Sequence, residues 1–287
     1  MSVRVITDST AYLPQALTDT LDIGVVQLFV NDGNASIPEL DVDLEAFYRR
    51  LAEIDHLPST AQASVDELAE AFRERVGGGD DALGIFISEA MSGTVQAARV
   101  AAGIVCDEAH AGRIEVLDSR SNCMQMGVAV LAAARVAQAG GSLDACAEAA
   151  REAMRRSRYL FTPASLEYLR RGGRIGGASA LIGQLLQVRP ILTVEDGETQ
   201  VFARVRTSAK ALATIAEAFS ADVEAKGLRS VYCHAIADRE TAKRFAAEEI
   251  EPIAGRIVEV IPVGPAIGLH VGPAVGLVYE TEEPIRD

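Results

Sequence analysis

The sequence predicts an α/β protein of two α/β domains, the first built on a mainly parallel, doubly wound sheet. Three observations carry this expectation. Through the first half, β-like runs alternate with runs of helical period. The second half instead contains paired strands about a hairpin signal. The composition is aliphatic: 49% of residues are apolar, only 5% are aromatic and Trp is absent, so the core is built from Ala, Val, Ile and Leu, as suits helices on a parallel sheet. At 287 residues the chain exceeds most single domains, and a boundary near Ser157 divides it into domains 1–157 and 158–287.

Taken in order, VRVIT (3–7) opens as a strand. In SVDELAEAFRERVGGG (64–79), Ser64 and Glu67 have capping-box spacing, Val65, Leu68, Ala69, Phe72 and Val76 share one face, and the glycines stop the helix. LGIFIS (83–88) and RIEVLD (113–118) are further strands, and helices ending GIVC and AQAGG follow them. Strand–helix alternation of this kind implies right-handed parallel crossovers. Past the boundary come RYLFT (158–162), the short SLEYLRRGGRIGG, a helical ALIGQLLQ (180–187), and PILTVEDGETQVFARV, two strands about the Asp196-Gly197 turn. A long helix from about Thr207, a strand at RSVYCHA, a helix at ETAKRFAAEEI, a strand at RIVEVIPVG and a last strand near GLVYE complete the chain.

A formal charge of −14 makes an acidic surface that repels phosphate backbones and anionic lipid, so neither nucleic acid nor a membrane is an expected partner. Cys106, Cys123, Cys146 and Cys233 are widely spaced in apolar segments and read as buried free thiols of a reducing cytoplasm. The start, MSVRVITDST, has no signal-peptide pattern, and no apolar run reaches bilayer length, so a cytoplasmic protein is expected.

Ligands of open parallel sheets bind beyond the carboxyl ends of the strands. Three first-half strands end in polar residues: Thr7-Asp8-Ser9-Thr10, Ser88 followed by Ser92-Gly93-Thr94, and Asp118-Ser119. Taken singly, Ser92 or Thr94 reads as a helix cap; together the three ends suggest a site. HExxH, GxSxG, GxxxxGK[ST] and GxGxxG are absent, so no metal or nucleotide is called for. Arg155, Arg156, Arg158, Arg170, Arg171 and Arg174 cluster in this acidic chain; the first three suit a helix C-terminus, while Arg174, among glycines, suits a phosphate or a docking protein. Near the end, VGPAIGLHVGPAVGL (263–277) repeats VGPA at a spacing of eight around His270.

Together these segments resemble the DegV family of fatty-acid-binding, FakB-like proteins: ITDSTAYLP, PSTAQAS, SEAMSGTVQAAR, VLDSRSNCMQMG, LEYLRRGGRIGG, VRPILTVEDG, RVRTSAKAL and HVGPAVGL occur in the family's order along essentially the whole chain. The resemblance implies a long-chain fatty acid held between two α/β domains. It implies a carboxylate bound by Thr60, Ser92 and His270, with glycine and small residues around His270 so that head and chain approach the backbone. An acyl slot is expected along Ala180, Leu181, Ile182, Leu185, Leu186, Ile191 and Leu192, a stretch that reads equally as core. By the same resemblance the protein is a non-catalytic subunit without cofactor, which presents the acid to a separate ATP-dependent fatty acid kinase that makes an acyl-phosphate. Arg174 and Arg206, with Arg170, match positions suited to contact that phosphate or kinase. Ala61, Ala63, Glu89 and Leu269 depart from the family's usual residues at the rim, and NDGNASIPELDVD departs at a lid segment. The alternatives are a binding role for another small lipid-like or polar ligand, and a serine-dependent acyl hydrolase using Ser92 and His270.

Overall fold

The computed structural model describes residues 2–51, 53, 57–108, 112–181 and 188–286. The described elements in the first part are β1 (Val3–Asp8), α1 (Gln15–Leu21), β2 (Gly24–Val26), β3 (Phe29–Asp32), β4 (Ala35–Pro38), α2 (Leu44–Leu51), β5 (Ser59–Ala61), α3 (Val65–Val76), β6 (Asp81–Phe86), α4 (Thr94–Cys106), β7 (Ile114–Asp118), α5 (Cys123–Gln138) and α6 (Leu143–Arg156). Then follow β8 (Ser157–Pro163), α7 (Glu167–Arg171), β9 (Arg189–Glu195), β10 (Glu198–Val205), α8 (Ser208–Lys226), β11 (Ser230–Ile236), α9 (Arg239–Phe245), α10 (Glu251–Ala254), β12 (Glu259–Pro262), α11 (Pro265–Val271) and β13 (Ala274–Glu280).

A parallel four-stranded sheet runs β2-β1-β6-β7, with Val3 opposite Asp81 and Ala82 opposite Ile114. A six-stranded mixed sheet runs β10-β9-β8-β13-β11-β12, in which only β11 and β12 pair in parallel. The sequence reading did not anticipate a third sheet, the antiparallel β4-β3-β5.

α3 and α4 cover the outer face of the first sheet through Leu68, Phe72 and Val95. α8 and α9 cover the outer face of the second through Ile215, Phe219 and Phe245. Between the sheets lie α5 and α6, in one cluster with Val5 and Ile85 on one side and Tyr159, Leu192 and Val278 on the other. Eleven of the sixteen α5 residues are buried, so this helix is apolar on nearly every side, as a helix sandwiched between two layers must be. Its start is pinned to the second sheet: His234 Nε2 accepts from Met124 N at 3.1 Å. Burial lowers the His234 pKa to about 4, which keeps the ring neutral as that acceptor role requires.

Several sequence-derived details differ. Cys106 is exposed, whereas the other three cysteines are buried free thiols as expected. Residues 176–181 form a 3₁₀ turn; Ile182, Leu185 and Leu186 lie outside the described residues. No helix among the described residues is long and apolar enough to cross a membrane.

Candidate functional site

The three parallel strands with polar ends are adjacent, so those ends share one edge. Most of their polar groups are occupied by the protein itself. Buried Asp8 accepts from Thr10 N at 2.9 Å and Ile87 N at 2.8 Å, joining β1 to the end of β6. Ser88 Oγ donates to Gly197 O at 2.7 Å, fastening the β9–β10 turn to the first sheet. Ser92 also lines a cavity. Its Oγ lies 2.8 Å from Thr94 Oγ1 and accepts from Thr94 N at a long 3.4 Å, while the N-cap of α4 is Gly93, so neither Ser92 nor Thr94 is the cap.

Thr60 sits on β5, held in the third sheet opposite Val30. His270 sits in the last turn of α11, a helix bracketed by Pro265 at its start and Gly272, with φ +69°, at its end. The two side chains meet: Thr60 Oγ1 and His270 Nε2 are 3.0 Å apart. Thr60, Ser92 and His270 all line one cavity of about 130 Å³ whose other walls include Leu28, Ile87, Leu169, Val194, Ile267 and Val271. Thus two hydroxyls and an imidazole stand on the wall of a chamber whose remaining lining mixes apolar side chains with Gln62, Asn122, Arg174 and Thr199. Burial, and then the nearby Arg174 charge, lower the His270 pKa to about 4, so the ring is neutral at pH 7 and offers one N–H and one acceptor nitrogen.

The glycines around His270 make room for protein side chains. A Cβ on Gly172 would lie 2.3 Å from His270 Nδ1, one on Gly268 would lie 1.9 Å from the Tyr48 hydroxyl, and one on Gly264 would lie 2.5 Å from Glu39 Oε1. The backbone approach expected around His270 is therefore taken up by Glu39, Tyr48 and the imidazole itself.

Arg174 donates Nε to Met91 O at 3.2 Å and Nη1 to Gly172 O at 2.5 Å. It borders both the inner cavity and an outer recess of about 410 Å³ that also contains Arg171, and Thr60 and His270 border both spaces as well. Arg170 is instead engaged by Glu167 in a bidentate pair, 2.9 and 2.6 Å, at the surface. Arg206 follows the end of β10 remote from Thr199, the β10 residue that lines the cavity, and strand rise puts it roughly 20 Å away. Arg174 alone of the three expected arginines borders the cavity.

Of the residues expected along a slot, Leu181 and Leu192 belong to the core between the sheets, Ala180 is exposed, and Ile191 faces the α8 side of the second sheet. The cavity walls come from α11, β8, Val194 of β9, the β2–β3 connection, β5, residues 87–93, Leu169 of α7 and Thr199 of β10. Residues 266, 267, 270 and 271 form one stripe of helical spacing, a signal present in the sequence and masked there by the repeated glycine and proline.

Among the described residues no group of three or more His, Cys, Asp or Glu side chains is placed to hold a metal. Nor is a hydrolytic triad assembled: the Ser92 hydroxyl pairs with Thr94 and the His270 Nε2 with Thr60, and among the described residues no carboxylate is hydrogen-bonded to the His270 ring.

A family model described as "Uncharacterised protein, DegV family" matches residues 2–282. A DegV domain-containing protein of Clostridium acetobutylicum is 42% identical over 292 residues, covering 100% of both chains. Among solved structures, a Thermus thermophilus protein of the same family, described by its fatty acid binding, superposes with a TM-score of 0.88 at 31% identity, covering 98% of this chain and 100% of the other. A Bacillus subtilis DegV described as a fatty acid binding protein superposes with a TM-score of 0.83 at 30% identity, covering 98% and 99% of the two chains.

Proposed function

Because the chain belongs to the DegV family, we propose that it binds a long-chain fatty acid, with the carboxylate held by Thr60, Ser92 and His270. The observation that carries this reading is the Thr60–His270 pair, 3.0 Å apart, on the wall of a cavity that Ser92 also lines. A carboxylate leaving water needs several donors. Two rotatable hydroxyls and a neutral imidazole carry three donor hydrogens; one stays in the Thr60–His270 bond and two remain for the carboxylate without burying a full ion pair, while Arg174 adds a favourable positive potential from the rim. The acyl chain supplies the affinity: about 0.8 kcal/mol per buried methylene gives on the order of 13 kcal/mol gross for roughly sixteen carbons, before ordering costs. The cavity of about 130 Å³ is close to the ~150 Å³ that holds one benzene. It admits the head and the first methylenes, and entry of the whole chain requires the walls to part.

The protein then acts as a carrier that presents the carboxylate to a separate ATP-dependent fatty acid kinase for acyl-phosphate formation. The outer recess supports this: Thr60, His270 and Arg174 are reached from it, so a carboxylate held there is approachable from outside, beside Arg171 and Arg174. Arg170, paired with Glu167, and the distant Arg206 would contribute to docking away from the head group. The domain division at Ser157 belongs to the same proposal, the ligand lying between the two halves.

Titration of the delipidated protein with palmitate, alongside Ser92→Ala and His270→Ala, tests the reading. Each variant is expected to fold and to bind about tenfold more weakly, the cost of one charge-assisted hydrogen bond. Wild-type affinity in both variants overturns the head-group assignment.

A further inference from the structure

Glu39 is 1% exposed, and the proposed binding role does not use it. Burial raises its pKa against hydrogen bonds from Ser9, Tyr12 and Ala266. Those bonds satisfy both oxygens: Oε2 accepts from Ser9 Oγ at 2.6 Å, and Oε1 accepts from the Tyr12 hydroxyl at 2.7 Å and Ala266 N at 2.9 Å. The Tyr12 oxygen in turn accepts from Ile267 N at 3.3 Å, and Ser9 Oγ accepts from Leu28 N at 3.0 Å. Tyr48, from α2, donates to Val263 O at 2.7 Å.

These bonds converge on the start of α11. That helix has seven residues, contains Gly268, and has as its N-cap Gly264, which has no side chain with which to cap it. So short and glycine-bearing a segment is not helical by its own propensity. Its first N–H groups need partners, and two of them are met by Glu39 and Tyr12, groups more than 220 residues away in sequence. Gly264 leaves the space that Glu39 Oε1 occupies, and Gly268 the space that the Tyr48 hydroxyl occupies. His270 lies on the last turn of the same helix, and Leu28, tied to Glu39 through Ser9, forms part of the cavity wall.

We infer that Glu39 is a positioning residue: through Tyr12 and the α11 amides it sets the helix in the place where His270 meets Thr60, and through Ser9 it sets the adjoining wall at Leu28. This inference rests on the proposed carboxylate site for its functional consequence. Its structural consequence is independent of any ligand.

Glu39→Gln preserves size but replaces one accepting oxygen by a donor, so at least one of the three donors loses its partner. The test combines palmitate titration with imidazole ¹⁵N–¹H spectra of the ligand-free protein, in which buried His234 is an internal control for the fold. Expected are an affinity about tenfold weaker, as for one lost hydrogen bond to a charged group, and shifted His270 ring signals with those of His234 unchanged. Glu39→Asp, whose carboxylate is one methylene shorter, should not restore them, and Tyr12→Phe should shift His270 in the same direction. Unchanged His270 signals and affinity in Glu39→Gln overturn the inference. If the His234 and His270 signals collapse together, Glu39→Gln has not folded, and Tyr12→Phe decides by the same two signals: a shifted His270 beside an unchanged His234 supports the inference, and an unchanged His270 overturns it. Should the wild type bind no acid, the binding role fails, while the His270 signals still decide whether Glu39 sets α11.

Discussion

Replacing Gly172 by Ala moves His270 without altering it. Gly172 closes α7 with φ −74° and ψ −11°, a conformation open to alanine, so the backbone bears no strain. The added Cβ would sit 2.3 Å from His270 Nδ1, well inside contact distance, and 3.2 Å from Tyr168 O. The imidazole must swing away, and the 3.0 Å contact with Thr60 is lost. One hydrogen bond is worth about 1 kcal/mol net, and stranding a partly buried hydroxyl costs up to about 2 more, while exchanging a helix-end glycine for alanine returns a few tenths to 1 kcal/mol through the unfolded chain. Stability should therefore change by less than about 3 kcal/mol, and fatty acid affinity should fall roughly five- to thirtyfold, since 1.4 kcal/mol is tenfold. Isothermal titration with palmitate reads the affinity, and thermal unfolding of the same sample reads the fold. Gly172→Ala with native stability and wild-type affinity would refute the claim that the Thr60–His270 pair holds the head group.

Gly268→Ala drives a Cβ to 1.9 Å from the Tyr48 hydroxyl; overpacking of this kind costs about 1–3 kcal/mol, and a Tm lower by several degrees is the expected readout. His234 supplies a pH test. Its folded pKa, about 4 against an ordinary 6.5, means that its contribution is complete above pH 6.5 and is lost as pH falls toward 4, where the unfolded chain takes a proton the native state refuses. That lowering corresponds to about 3 kcal/mol, and His234→Gln should flatten the urea-unfolding profile between those pH values by an amount of that order. Under the proposed carrier role, Arg174→Ala should lower phosphorylation of the bound acid by a fatty acid kinase more than it lowers affinity for the acid, as turnover and titration measured side by side will show.

Features with a local cause were legible in the sequence. The Ser64–Glu67 capping box forms with both of its bonds, and Asp196-Gly197 turns the chain with φ of 50° and 83°, the two positive angles a two-residue hairpin needs. The parallel sheet followed from the strand–helix alternation. The third sheet was missed because its strands have three or four residues, too few for alternation to register, although Gly33-Asn34, the two-residue β3–β4 turn with Gly33 at φ 61°, was the available cue. The α11 helix was missed because its caps, Glu39 and Tyr12, lie far away in sequence; Pro265 at its start and Gly272 at its end were the local signs. Leu192 and Ile191 could not both face one cavity, since neighbours on a strand point to opposite faces, and the structure divides them between the two cores. Thr60, Ser92 and His270 were named through family resemblance; their convergence depends on tertiary contacts that no spacing encodes.

The most direct measurement is native followed by denaturing mass spectrometry of the purified protein. A long-chain fatty acid carried near one equivalent by the native species and released on denaturation is the predicted result. A ligand-free protein that also fails to take up added palmitate or oleate would contradict it.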